Sequence, residues 1–139
     1  MTVAASLEQF AKDLQSLLAG STSAGVYEGE APRGADDAVL TGAYPFVVYS
    51  AAVGAPASEL GAYSVDLFVD VWALDSWGAA YKVAGEVHEA LNGFVAVLDC
   101  GRVSIDPAGA IMNREARDPD NGRVRRLRGQ YSALLYPKI

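Results

Sequence analysis

The sequence contains a single cysteine and a single histidine, and this scarcity excludes several kinds of site. With only Cys100, no intramolecular disulfide and no cluster of thiolate ligands for a metal can form. His88 borders the apolar stripe of a helical pattern, and no motif supplies it with a nucleophile and an orienting acid. The hydrolase motifs GxSxG and HExxH are missing. Segment 29–37, GEAPRGADD, lacks the GK[ST] ending of a phosphate-binding loop. The sequence thus offers no recognisable catalytic, phosphate-binding or metal-binding motif.

Long apolar runs are also missing. Residues 38–58 carry no charge, but Gly42, Pro45, Gly54 and Pro56 interrupt them, which indicates a strand with loops and not a membrane-spanning helix. The N-terminal segment lacks the basic region and apolar run of a signal peptide. Of the 139 residues, 51% are hydrophobic and 20% are charged, which is typical of a globular protein. The length predicts one domain over residues 1–139.

Basic side chains are scarce in the first hundred residues. Residues 1–100 contain 13 acidic and 3 basic side chains, whereas residues 101–139 contain 4 acidic and 8 basic ones. The formal net charge of −6 argues against a general binder of polyanions. Such an asymmetry indicates an electrostatic partner, and another copy of the same chain is one candidate.

Apolar periodicity predicts two helices and five strands. The clearest strand is YSVDLFVDVWAL, in which four apolar residues from Val65 to Val71 alternate with a mixed face that holds two acids. The order α-β-β-β-α-β-β favours an α+β fold, a mostly antiparallel sheet with two helices packed on one face. The predicted helices are residues 3–19 and 76–93, the second with Ser76 as its cap and Asn92-Gly93 as its end. The predicted strands are 24–30, 44–53, 63–74, 101–113 with a Pro-Gly interruption, and 122–139.

The stretch RVRRLRGQY, residues 123–131, concentrates four arginines. Alternation along a strand puts Arg126 and Arg128 on one face and Arg123 and Arg125 on the other, so they form no one-sided basic stripe. We expect the stretch to begin in a hairpin arm that extends beyond the core and is exposed to solvent on both faces. From Tyr131 onward the strand should enter the core. A nucleic-acid contact is one interpretation of this stretch, but a protein contact or a solvated arm is favoured because arginine pairs well with carboxylates.

The acidic residues offer no catalytic pair. Asp66 and Asp70 share a strand face but lie about 13 Å apart, beyond even the roughly 6.5–9.5 Å of paired carboxylates in inverting glycosidases. We hypothesise that the four arginines contact acids across an interface with another subunit or another protein assembly. The candidate acids are Glu28, Glu30, Asp36, Asp37, Asp66 and Asp70.

The order and spacing of several segments resemble the tail-terminator, or tail-completion, proteins of long-tailed bacteriophages. The segments are VYEGEAPRGA, YPFVVYS, VDLFVDVWALDSWGAAYKVAGEVHEALNG and a last strand that ends in YSALLYP. The resemblance covers residues 24–136 and is most specific over residues 69–93. It implies a non-enzymatic α+β protein, without cofactor or metal, that assembles into a homo-oligomeric ring, commonly a hexamer. The ring caps the finished tail tube, ends its polymerisation and presents a surface for head–tail joining.

The implied partners are further copies of the chain, the major tail tube protein and the head–tail connector, with no membrane. Genomic DNA would pass only through the lumen of the ring. The implied location is the tail or neck of the virion, and the host cytoplasm during assembly. One alternative is another neck, connector or tail-tube-related protein. Others are a nucleic-acid binder, or a small enzyme or ligand-binding domain with an apolar pocket around Trp72 and His88.

Overall fold

Two α-helices and seven strands follow one another along residues 3–56, 61–106, 111–114 and 122–137, which are the residues that the computed structural model describes. The helices are α1 (Val3–Ser21) and α2 (Trp77–Leu91). The strands are β1 (Gly25–Glu28), β2 (Phe46–Pro56), β3 (Tyr63–Leu74), β4 (Val95–Leu98), β5 (Gly101–Ile105), β6 (Ile111–Arg114) and β7 (Val124–Pro137).

The strands form one sheet in the order β1-β2-β3-β7-β5-β4, and β6 also pairs with β7. The pairing of β1 with β2 is parallel and the other described pairings are antiparallel. Strand β7 lies in the middle, with β3 along one side and β5 and β6 along the other. The α+β class and the mostly antiparallel sheet are therefore confirmed.

Both helices pack on the same face of the sheet. Residues Val65, Leu67, Val69 and Val71 of β3 are at most 1% exposed and face the helices, as their alternation predicted. Apolar residues at helical spacing meet them from α1 and α2. The buried helix residues are Phe10, Leu14, Leu18, Ala80, Val83, Ala84, Val87 and Leu91.

The boundaries of α2 follow from its flanking residues. Ser76 caps the helix, because its hydroxyl accepts a 3.0 Å hydrogen bond from the Ala79 backbone N–H. The helix ends at Leu91, and Gly93 adopts a φ of 70°, a left-handed conformation that glycine takes without steric cost. The predicted cap and stop are both confirmed.

Two strands differ from the prediction. The segment predicted as one strand with a Pro-Gly interruption over 101–113 forms two separate strands, β5 and β6, which pair with different parts of β7, and the interruption itself lies outside the described residues. Strand β4 was not predicted at all, since four residues are too few for alternation to be visible. The order of elements is thus α-β-β-β-α-β-β-β-β, with seven strands instead of five.

The expected hairpin arm is absent from the described part of the chain. Strand β7 pairs with β3 from Val124 onward, and Val124 and Leu127 are 5% and 1% exposed. These two apolar residues anchor the arginine stretch inside the sheet, so the core begins well before Tyr131. Arg126 and Arg128 do share one face, as predicted, because Arg126 lies opposite Trp72 and Arg128 opposite Asp70, on the face away from the helices.

Candidate interaction surface

The sheet face away from the helices, here called the open face, carries a charged cluster at its centre. Asp70 is only 7% exposed and accepts a 2.7 Å hydrogen bond from Nη2 of Arg126 to its Oδ2 atom. Nε of Arg128 lies 3.3 Å from Oδ1 of the same carboxylate. We call Asp70, Arg126 and Arg128 the arginine cluster. Its two guanidinium groups and one carboxylate leave one net positive charge.

Aromatic rings hold both guanidinium groups in place. The guanidinium carbon of Arg126 lies 4.4 Å from the ring centroid of Trp72, and that of Arg128 lies 5.4 Å from the centroid of Phe68. Such contacts attract a cation to the ring face. The side chains of Arg126 and Arg128 remain 33% and 49% exposed, so a partner can still reach them.

Some polar atoms of this cluster lack a hydrogen-bond partner among the described residues. The buried atoms concerned are Nε of Arg126, Nε1 of Trp72 and Oδ1 of Asp70, although the last is 3.3 Å from Arg128. A buried polar group without a hydrogen bond costs about 1–3 kcal/mol. The open face therefore keeps polar groups whose hydrogen-bonding capacity the described residues do not use.

One end of the open face is already covered. The rings of Phe46 and Trp72 stack at a centroid distance of 5.5 Å, and Tyr27 and Tyr44 pack edge-on or tilted against Phe46. Residues of segment 29–44 close over this aromatic group, Ala31, Val39 and Ala43 among them. The arginine cluster borders this covered end, because Trp72 contacts both Phe46 and Arg126.

The other two predicted arginines are engaged elsewhere. Nε of Arg123 donates to both carboxylate oxygens of Asp75, at 3.0 and 2.9 Å, and this hydrogen bonding lowers the pKa of Asp75 below its ordinary 3.8. Nη1 of Arg125 donates to the Gly122 carbonyl oxygen at 2.8 Å. The four arginines thus divide into two that meet on the open face and two at the start of β7.

Of the six predicted acids, Asp70 alone pairs with predicted arginines within the described residues. Asp66 is half-buried on the open face, opposite Ser132. Glu28 and Glu30 are exposed beside the β1 edge, and Asp36 and Asp37 are exposed in the loop between β1 and β2. An interface role of these acids stays a prediction.

The sole cysteine and the sole histidine lie on the helix side of the sheet. Burial, together with hydrogen bonding to Asp13, raises the pKa of the Cys100 thiol to about 12. Nδ1 of His88 lies 3.1 Å from the hydroxyl of Tyr131, a residue of the core between helices and sheet. Trp72 lies on the opposite face, so it shares no pocket with His88.

The described residues contain neither a candidate metal site nor a candidate membrane-spanning helix. Within it, no three side chains of the His, Cys, Asp or Glu type come close enough to hold a metal ion. None of its helices combines the length and the apolar character needed to cross a bilayer.

Sequence reasoning missed a second exposed region, at the far end of the open face. Val95 and Val97 of β4 are 65% and 81% exposed, and neighbouring Arg102 of β5 is exposed as well. The residues FVAVL give a continuous apolar run, so only the pairing of β4 with β5 shows which side chains face the core.

Comparison with known proteins adds one fold relationship. No model of a known protein family matches the chain, and no curated protein matches it. Among solved structures, a chain described as "Virion of native gene transfer agent (GTA) particle" is similar, with a TM-score of 0.59 and 22% sequence identity. The similarity covers 96% of this chain and 92% of that chain. The two chains therefore share a fold over nearly their whole length.

Proposed function

We propose that this chain is a structural protein of a phage-like virion. The fold similarity to a chain of a gene transfer agent virion is the observation that carries the proposal, because it spans nearly all of both chains. The order of sequence segments independently resembles phage tail terminators. Neither line depends on a catalytic group or on a bound cofactor.

Within that class, the function that fits best is that of a tail terminator. In this role the chain forms a homo-oligomeric ring, a hexamer, on the end of the tail tube. The ring ends polymerisation of the tube and offers a surface to the head–tail connector. Its partners are further copies of the chain, the major tail tube protein and the connector, and DNA passes through the lumen.

The arginine cluster supports an assembly role. Arg126 and Arg128 are fixed by aromatic rings and by Asp70, so little side-chain entropy is lost when they bind a partner. The net positive charge of the cluster favours a carboxylate on the contacting surface. Complementary charge of this kind sets register and speeds docking more than it adds affinity.

Electron microscopy of the purified protein mixed with tail tubes tests the terminator role. We expect rings at one end of each tube and none along its side. Tubes formed by the protein alone would favour a tail-tube relative. Rings that bind connector complexes but leave tube ends uncapped would favour another neck protein. Tube ends and connectors both left bare would contradict the proposal.

A charge reversal tests the role of the arginine cluster in assembly. Arg128→Glu should reduce ring formation and tube capping, because it turns the net charge of the cluster from positive to negative and so repels a carboxylate on the contacting surface. Arg123→Glu, on a residue outside the cluster, is the matched control and should leave assembly unchanged. Native mass spectrometry measures the ring population, and thermal unfolding shows that each variant is folded. Equal ring populations for both variants would remove the cluster from the interface.

A further inference from the structure

The far end of the open face presents an apolar patch with a fixed cation beside it. Val95 and Val97 of the outermost strand β4 are the two most exposed of the large apolar side chains in the described residues, at 65% and 81%. The guanidinium carbon of Arg102 lies 4.4 Å from the ring centroid of Tyr136, which holds the cation in place. We call Val95, Val97, Arg102 and Tyr136 the distal patch.

Strand register shows that the distal patch belongs to the open face. Val97 lies opposite Arg102, which lies opposite Tyr136, and side chains directly opposite each other share a face. The neighbouring residue Leu135 is buried among the helices, so Tyr136 points away from them. Beside the patch a shallow depression of about 450 Å³ is lined by small and polar residues, namely Ser64, Ser104, Asp106, Ser132, Ala133 and Leu134.

A complementary feature lies at the opposite side of the sheet, in residues 32–40, here called the acidic hairpin. Backbone hydrogen bonds from Leu40 to Pro32 at 3.0 Å and from Gly34 to Ala38 at 2.9 Å fix its shape. Leu40 is 47% exposed at its base, and Asp36 and Asp37 are exposed at its turn. Arg33 is exposed in the same loop and its Nη1 donates to the Asp37 carbonyl oxygen at 2.9 Å, so that the two carboxylates leave the loop one net negative charge beside exposed Leu40.

We infer that the acidic hairpin of one copy docks on the distal patch of the next copy. Leu40 contacts Val95 and Val97, while the carboxylates of Asp36 and Asp37 face Arg102. In this contact apolar side chains bury one another. The acids of one copy face the cation of the next, so the two surfaces are complementary in charge. This inference rests on the proposed ring, for which it names the contacting surfaces.

The position of the two surfaces fits a ring. The acidic hairpin connects β1 to β2 at one side of the sheet, and β4 forms the other side. A contact between two different surfaces on opposite sides is head-to-tail, and it closes into a ring when the rotation between copies allows. A contact of the distal patch with itself would instead give a two-fold dimer.

Cysteine cross-linking separates these arrangements. Two single variants, Leu40→Cys and Val97→Cys, are mixed at equal concentration and treated with a short bis-maleimide, and native mass spectrometry of the same mixture records the oligomers. We expect covalent dimers that contain one copy of each variant, with little product from either variant alone. Tyr81→Cys, on an exposed residue of α2, replaces Val97→Cys in the control mixture and should give no dimer with Leu40→Cys.

Each other outcome overturns the inference in a distinguishable way. Rings without mixed dimers would contradict the docking but leave the proposed function standing. Dimers from Val97→Cys alone would show two-fold pairing of the patch. If every mixture contained only monomers and the tube ends also stayed uncapped, the proposed ring itself would be contradicted.

A second pair of variants tests, without a cross-linker, how much the distal patch contributes to association between copies. Val97→Lys should weaken association by roughly tenfold or more, since it puts a charge into an apolar contact. Tyr81→Lys should leave association within about twofold of the unaltered protein. Equal association of both variants would contradict the role of the distal patch.

Discussion

Asp70 of β3 lies directly opposite Arg128 of β7, and the same carboxylate binds Arg126 two residues away along β7. Residues i and i+2 of a strand share a face, so one acid can serve two guanidinium groups. The resulting cluster joins β3 to β7 on the open face, where no helix covers them. It contributes to the stability of the sheet centre and also carries the charge that we assign to assembly.

Replacing Asp70 should destabilise the fold. Asp70→Asn leaves Arg126 and Arg128 without their carboxylate in a partly buried site. We expect a loss of about 2–3 kcal/mol in the free energy of unfolding, below the ~3–5 kcal/mol for a fully buried pair, because both arginines keep some exposure. Chemical denaturation measures the change.

The matched control for Asp70→Asn is Asp75→Asn. It removes the ion pair with Arg123, whose side chains are 62% and 51% exposed. An exposed pair adds little to stability because water screens it. If both variants unfold at the same denaturant concentration, Asp70 does not hold the sheet centre.

The Asp75–Arg123 pair should show itself in the pH dependence of stability. Hydrogen bonding from Arg123 lowers the pKa of Asp75 in the folded protein below 3.8. The pair therefore contributes to the free energy of unfolding at pH values above 3.8, and this contribution is lost as pH falls through the lowered pKa of Asp75. NMR titration of the Asp75 carboxyl group should give a pKa below 3.8, and Arg123→Gln should raise it. A titration that Arg123→Gln leaves unchanged would refute the pair.

Alkaline pH should destabilise the protein through two tyrosines. Burial raises the pKa of Tyr131 to about 12, and burial with the nearby charge of Glu28 raises that of Tyr49 to about 12. The unfolded chain releases these protons near pH 10, so stability falls as pH rises from about 10 towards 12. Tyr131→Phe should flatten this decline. Spectrophotometric titration that finds every tyrosine ionised near pH 10 in the native protein would disprove it.

Cys100 should be inert in the folded protein. Its thiol is buried and its pKa is raised to about 12, and the thiolate is the reactive form. We expect no reaction with a thiol reagent at neutral pH in native buffer and complete reaction in denaturant. The unaltered chain therefore serves as the blank for cross-linking. Fast labelling under native conditions would show that this site opens.

Much of the fold follows from local sequence signals. The alternation in β3 and the Ser76 cap of α2 are each fixed by neighbouring residues, and the structure agrees with both. Strand β4 was not predicted, because the face to which each of its side chains points is set by its pairing with β5, a contact between two segments of the chain. The exposure of Val95 and Val97 could not be seen without that pairing.

The candidate site was predictable only in part. Strand alternation predicts that Arg126 and Arg128 share a face, and the register of β7 agrees, whereas Arg123 lies before the strand. The partner of the first two was not predictable, because it depends on which residue of β3 stands opposite Arg128. The expected wet arm was wrong for a related reason, since the burial of Val124 and Leu127 comes from neighbouring strands and helices.

The central place of β7 has a consequence for the order in which the fold can form. Its three neighbours, β3, β5 and β6, come earlier in the chain, and none of the described pairings links β3 to β5 or β6. Without β7, the remaining described pairings leave β1 to β3 as one ladder and β4 with β5 as another. Residues 124–137 are therefore needed to join the two groups of strands. Because this strand comes late in the chain, a complete subunit, and with it any assembly between copies, requires that its synthesis has reached these residues.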